Sequence, residues 1–217
     1  MALIKLEDVT IVRGGKEVVS HFSARIAPGK ITAIIGPNGS GKTSLLSALA
    51  GDLPIASGSI SFDGKKLSEM STEEQAQIRS VVQQNRNYWL SYTVREVIEM
   101  GQDVLSLQHV NRIMSALEIN GIADQKVTTL SGGEAQRIEI ARALIRDTDI
   151  YLLDEPLSAQ DSGSKQRIIS LLKEFRDNGK TIVIIAHIDK SALTWCDQVI
   201  ETLAQQRPTF CKTWVKW

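Results

Sequence analysis

The chain is poor in cysteine, aromatic residues and proline, and has no excess of either charge. Cys196 and Cys211 are its two cysteines in 217 residues. They form neither a disulfide framework nor a metal-ligand spacing, which excludes a stapled secreted scaffold and a zinc-ribbon module. Both read as small packing residues in a reducing compartment. Lys and Arg total 25 and Asp and Glu total 25, a formal net charge of zero. Without a cationic excess the chain lacks the sequence-independent attraction that dominates binding to nucleic acid or anionic lipid, so no nucleic-acid partner is expected. No apolar run approaches the roughly 20 residues of a membrane-spanning helix, and Met1-Ala2-Leu3 leads into charged sequence without a signal-peptide pattern. There are no repeats, low-complexity tracts or Pro/Gly linkers. What is present is 42% hydrophobic and 23% charged residues, proportions that suit a globular chain with a sizeable core.

The first sixty residues read as β structure. "IKLEDVTIV" and "GSISFDG" alternate apolar with polar residues, as half-buried antiparallel strands do. "KITAIIG" is instead a nearly continuous apolar run ending in glycine, the pattern of a buried parallel strand, and "DIYLLDEP" and "KTIVIIAH" repeat it. From Ser71 to Arg146 the signals are mostly helical. Ser71 with Glu74 and Thr93 with Glu96 have capping-box spacing. Leu107, Val110, Met114 and Leu117 follow helical periodicity, with Gly121 placed to stop that helix. A last helix is expected from about Ser164 to Asn178, with Ile168, Leu171, Leu172 and Phe175 on one face.

"GPNGSGKT" comprises Gly36, Pro37, Asn38, Gly39, Ser40, Gly41, Lys42 and Thr43, with Ser44 following. It fits G-x-x-x-x-G-K-[ST] between a buried strand and a helix. Glycines let backbone N–H groups turn inward around phosphate oxygens, and the helix N-terminus adds about half a positive charge. Lys42 should reach the β- and γ-phosphates and the Thr43 hydroxyl should ligate Mg²⁺. An ordinary glycine-rich turn would explain the glycines but not the Lys-Thr pair. A nucleotide triphosphate site also needs a carboxylate for Mg²⁺ and a base for water. "IYLLDEP" offers Asp154 for the metal shell and Glu155 for the attacking water, at the strand end where α/β sheets place ligands.

"LSGGEAQRIEIARAL", Leu130 to Leu144, then resembles the signature region of the ATP-binding cassette (ABC) ATPases, and the resemblance extends over nearly the whole chain. It implies a P-loop NTPase core with a mixed, mainly parallel sheet, an N-terminal antiparallel β subdomain and an inserted helical subdomain. The core would span residues 1–84 and 147–217 and the helical part 85–146, within one ABC ATPase domain. The resemblance implies ATP and Mg²⁺ as cofactors and a head-to-tail homodimer. In that dimer Ser131, Gly132, Gly133 and Glu134 of one chain meet the ATP on the P-loop of the other. Gln84 is similar to the glutamine that senses metal and water, with Gln83 the alternative register. His187 is similar to the switch histidine that contacts the γ-phosphate. "LSAQD" occupies the place of the loop that crosses the dimer seam. Gln160 stands there where the family usually has leucine, so the seam contact is expected to be weaker or more polar. Arg13 stands where an aromatic residue usually stacks on adenine. His21 and His109 lack such settings and read as surface residues.

The family's usual partner is an integral-membrane permease, with a substrate-binding protein reached through it. The implied place is the cytoplasmic face of the cell membrane, as a peripheral subunit. Tyr88, Trp89, Leu90 and Tyr92 are candidates for the permease grip, with a helical-lobe core as the alternative. "YTVREVIEMG" is similar to importers of iron–siderophore complexes, haem and cobalamin. An exporter cassette and a soluble ATPase of iron–sulfur cluster assembly stay open as alternatives. Trp214 and Trp217 are expected to cover core or close a strand.

Overall fold

The computed structural model describes residues 3–83, 91–100, 106–187, 190–202 and, in backbone alone, 212–215. Gln84, Tyr88, Trp89, Leu90, Cys211 and Trp217 lie outside the described residues. In chain order the strands and helices are β1 (Ile4–Arg13), β2 (Lys16–Ile26), β3 (Ile31–Ile35), α1 (Lys42–Leu49), β4 (Ser57–Phe62), β5 (Lys65–Lys66), α2 (Thr72–Ile78) and β6 (Arg79–Val82). They continue with α3 (Val94–Glu99), α4 (Leu107–Ala116), α5 (Gly132–Ile145), β7 (Ile150–Asp154), α6 (Ser162–Asp177), β8 (Thr181–Ile185), β9 (Gln198–Glu201) and β10 (Lys212–Val215).

Two sheets result. β2-β1-β4-β5 is antiparallel, and β10-β9-β3-β8-β7-β6 is parallel except for the β10–β9 pair. The division follows the sequence pattern. β2 alternates buried and exposed positions along its second half, while every residue of β3, β7 and β8 is buried. Successive side chains of a strand point to opposite faces, so an all-apolar strand needs cover on both. Ile31, Ala33, Tyr151, Leu153, Ile182 and Ile184 pack on the side of α3, α4, α5 and α6. Ile34, Ile150, Leu152, Val183 and Ile185 pack on the side of α1 and the antiparallel sheet. Each buried Ile, Leu or Val among them contributes roughly 1.5–3 kcal/mol, so the central strands give a firmly packed platform for a site at their ends.

Two local expectations are corrected. α4 stops before Gly121: Leu117 is its C-cap, and Glu118 turns the chain with φ 52°. Gly121 lies in a following single turn. His109 is half-buried rather than on the surface, its ring centroid 6.5 Å from that of Phe175. His21 is exposed as expected, with Nδ1 2.8 Å from Asp8 Oδ1.

Candidate nucleotide site

The C-terminal ends of β3, β7 and β8 bring the charged residues together. β3 runs into the glycine loop, and α1 begins at Lys42, with Gly41 left-handed at its N-cap (φ 85°). Lys42 is 4% exposed, and its Nζ donates to the carbonyls of Gly36 and Pro37, both at 2.9 Å. These bonds curl the loop over the helix start. Burial lowers the Lys42 pKa, while Glu155 and Asp154 pull it back up.

β7 ends at Asp154, paired with Ile185 of β8, so the residues that follow both strands emerge side by side. Glu155 has φ 50°, a turn out of the strand that a non-glycine residue seldom makes. His187 Nε2 lies 2.8 Å from Glu155 Oε1, with the histidine side chain 38% exposed and the glutamate 14%. Asp154 is 1% exposed, and its Oδ1 is buried without a hydrogen-bond partner among the described residues. Burial raises the Asp154 pKa, Glu155 adds to this, and a hydrogen bond from Thr43, His187 and Lys42 oppose it. A buried, orphaned carboxylate oxygen beside a threonine hydroxyl fits a hard cation such as Mg²⁺, which takes oxygen ligands.

A cavity of about 420 Å³ is lined by Arg13, Lys42, Thr43, Ser44, Glu155 and His187, among others. A second, of about 440 Å³, is lined by Arg13, Thr43, Asp52, Gln83 and Asp154, among others. Asn38, Gly39 and Gly41 also face the first cavity. Arg13 therefore faces both cavities from the end of β1. Gln83 emerges as a site residue. Val82 pairs with Leu153, so Gln83 leaves β6 beside Asp154, and its Nε2 donates to Asp52 Oδ2 at 2.8 Å. Only the strand register reveals this, because "QQ" in sequence fits either position.

Ser131 is the N-cap of α5. Its Oγ accepts from Glu134 N at 3.3 Å, and Glu134 Oε2 accepts from Ser131 N at 2.9 Å, a reciprocal capping box. Gly132 and Gly133 form the first turn. None of residues 131–134 lines either cavity. Gln160 is 7% exposed and bonded within its own chain to Gly133 and Arg137. Its longer polar side chain reaches α5, which a leucine could not bond. Tyr92 is 37% exposed, and among the described residues no helix is long and apolar enough to cross a membrane.

Comparison with known proteins agrees with this geometry. The family model described as ABC transporter matches residues 19–158. The chain is 31% identical to the hemin import ATP-binding protein of Rhodococcus jostii, covering 91% of this chain and 70% of that one. It is 34% identical to the zinc transport system ATP-binding protein of Treponema pallidum, covering 91% and 77%. With the petrobactin import ATP-binding protein of Bacillus subtilis it shares 33% identity over 91% of this chain and 82% of that one. Among solved structures, an ATP-bound bacterial Atm1-family ABC exporter matches with TM-score 0.84 and 25% identity, over 94% of this chain and 38% of the exporter. A nucleotide-free ATP-binding cassette from an ABC transporter matches in fold with TM-score 0.80 and 23% identity, over 95% and 90%.

Proposed function

The chain belongs to the ABC transporter family, and on that premise we propose that it is the ATP-hydrolysing subunit of an importer, acting as a head-to-tail dimer beneath membrane permease subunits. The observation that carries the chemistry is one cavity shared by Lys42, Thr43, Glu155 and His187, with Asp154 lining a second that shares Arg13 and Thr43 with it. Gly36 to Ser44 cradle the phosphates, Lys42 neutralises the β- and γ-oxygens, and Arg13 packs on the base. Thr43 and Asp154 would hold Mg²⁺, and Gln84, or Gln83 in the alternative register, would sense it. The metal supplies charge neutralisation at the γ-phosphate oxygens.

Glu155 accepts the proton of the attacking water as its oxygen bonds to the γ-phosphorus, and the bond to the β-phosphate oxygen breaks to give ADP and phosphate. His187 orients that carboxylate and reaches the γ-phosphate. Ser131, Gly132, Gly133 and Glu134 act on the nucleotide of the other chain, consistent with their lying outside the cavity of their own. The core is assigned to residues 1–84 and 147–217 and the helical lobe to 85–146.

Import is the direction favoured, because the hemin, zinc and petrobactin relatives are named as import or transport subunits. A permease would seat in the cavity of about 450 Å³ lined by Arg79, Met100, Arg142 and Arg146, among others, where core and helical lobe meet. That contact would hold the chain at the cytoplasmic face of the membrane, with any substrate-binding protein reached through the permease.

Glu155→Gln tests the central assignment. It should retain ATP, lose turnover by at least about a hundredfold, and accumulate as a dimer on size exclusion with ATP and Mg²⁺. Native-rate turnover in that variant would refute Glu155 as the base.

A further inference from the structure

The loop that follows Glu155 lies along one face of α5 and is fastened there at both ends. At its start, Gln136 Nε2 donates to the Glu155 carbonyl at 2.8 Å, and Gln136 Oε1 accepts from Ser158 Oγ at 3.2 Å. At its far end, Gln160 Nε2 donates to the Gly133 carbonyl at 2.9 Å, and Gln160 Oε1 accepts from Arg137 Nη1 at 3.1 Å. Positions 133, 136 and 137 are three and four residues apart on a helix, and so share a face. Ala159 adopts φ 53°, which turns its carbonyl against α5. A Cβ on Gly133 would lie 2.8 Å from that oxygen. Glycine at 133 is thus required by a contact inside this chain, independently of any ligand.

Gln160 is 7% exposed, and both ends of its amide are used. Buried amides are directional and costly to leave unpaired, so this one fixes the spacing between loop and helix. The same segment carries the Glu155 carboxylate at one end, against His187, and grips the first turn of the signature helix at the other.

We propose that Gln160 is a positioning residue. It locks the loop after the hydrolytic glutamate to the glycine turn of α5, so that a chain's own catalytic site and the turn it offers a second chain move as one body. The role rests on the two-chain reading above, in which that turn grips the neighbour's ATP. Two rigidly joined sites then share a coupling free energy, which registers as cooperative turnover. With leucine at 160 both bonds vanish, while the Gln136 bonds at the start of the loop remain.

The test compares the native chain with Gln160→Leu and Gln160→Glu in steady-state ATP turnover, with a fluorescent ATP analogue titrated against dilute chain and thermal unfolding in parallel. Glutamate keeps an acceptor for Arg137 but has no donor for the Gly133 carbonyl, so it isolates the bond to the glycine turn and serves if the leucine variant fails to fold. Both variants should bind the analogue and show KM for ATP within about twofold of native. Their kcat should fall about tenfold and their Hill coefficient should drop toward one. A role confined to packing would lower the Tm and leave kcat and the Hill coefficient at native values, which overturns the proposal. A native chain that shows neither cooperativity nor an ATP-dependent dimer overturns the two-chain reading and this role with it. Native cooperativity that survives in both variants overturns the role of Gln160 alone.

Discussion

Glu139 lies on α5 at 3% exposure, with Arg142 Nε 3.3 Å from its carboxylate. Burial pushes its pKa up to about 7 against the pull of Arg142. Between the usual 4.5 and about 7 the folded chain holds a proton that the unfolded chain has released, so this group's contribution to stability falls as pH rises through that window. Glu139→Gln keeps the shape without the charge. It should stabilise the chain by up to roughly 3 kcal/mol near pH 8 and by almost nothing near pH 4, read from urea unfolding at the two values. An equal difference at both would show that Glu139 is not the titrating group. Asp161 has the opposite sign in another range. Hydrogen bonds from the Ser164 backbone and side chain hold it down to about 2, so its contribution is present above the usual carboxylate range and is lost only as pH falls through about 2. At this scale the sequence made Lys42, Asp154, Glu155 and His187 readable, because each ends an apolar run or a glycine loop. Gln83 and Gln160 could not be assigned the same way. What they touch depends on register and on a neighbouring helix, neither of which is local.

Secondary structure shows the same division. Ser71–Glu74, Thr93–Glu96 and Ser131–Glu134 all form reciprocal capping boxes, because such a cap needs only residues within one turn. The three buried strands were legible because a run of apolar residues too short for a helix has few other uses. The end of α4 was not, since Glu118 took a left-handed turn that glycine composition does not announce. Gly41 shows how an element start can depend on a distant one. It is left-handed at the head of α1, and a Cβ there would lie 2.4 Å from the Val18 carbonyl of β2. Gly41→Ala should therefore separate the antiparallel sheet from the phosphate loop. We expect a loss of roughly 2 kcal/mol or more in unfolding free energy together with at least a tenfold weaker affinity for an ATP analogue. Native affinity and native Tm in this variant would mean that the loop and β2 do not pack as described.

For the whole molecule the decisive observation is that the glycine loop and the glycine-led start of α5, the two elements suited to phosphate, do not line a common cavity. The P-loop cavity contains Lys42, Thr43, Glu155 and His187 but none of residues 131–134. The glycine-led N-terminus of α5 has the geometry to receive a phosphate, yet it lines no part of that cavity. In the proposed head-to-tail dimer each α5 turn would meet the other chain's P-loop, and ATP would favour closure by contacting both chains. Ser131→Arg should bind an ATP analogue as a single chain with near-native affinity while failing to turn over. Lys42→Ala should fail in the complementary way, with its signature turn intact and its own P-loop disabled. Mixed together, the two inactive variants form some dimers in which the good P-loop of the first faces the good α5 turn of the second. With random pairing, half the dimers are mixed and each holds one intact site of two, so turnover should return to as much as about a quarter of native. Restoration to any level well above the two variants measured separately requires that each site be shared between chains. A mixture no faster than the sum of its parts would mean that both devices serve a nucleotide held by one chain, and the head-to-tail dimer would have to be abandoned.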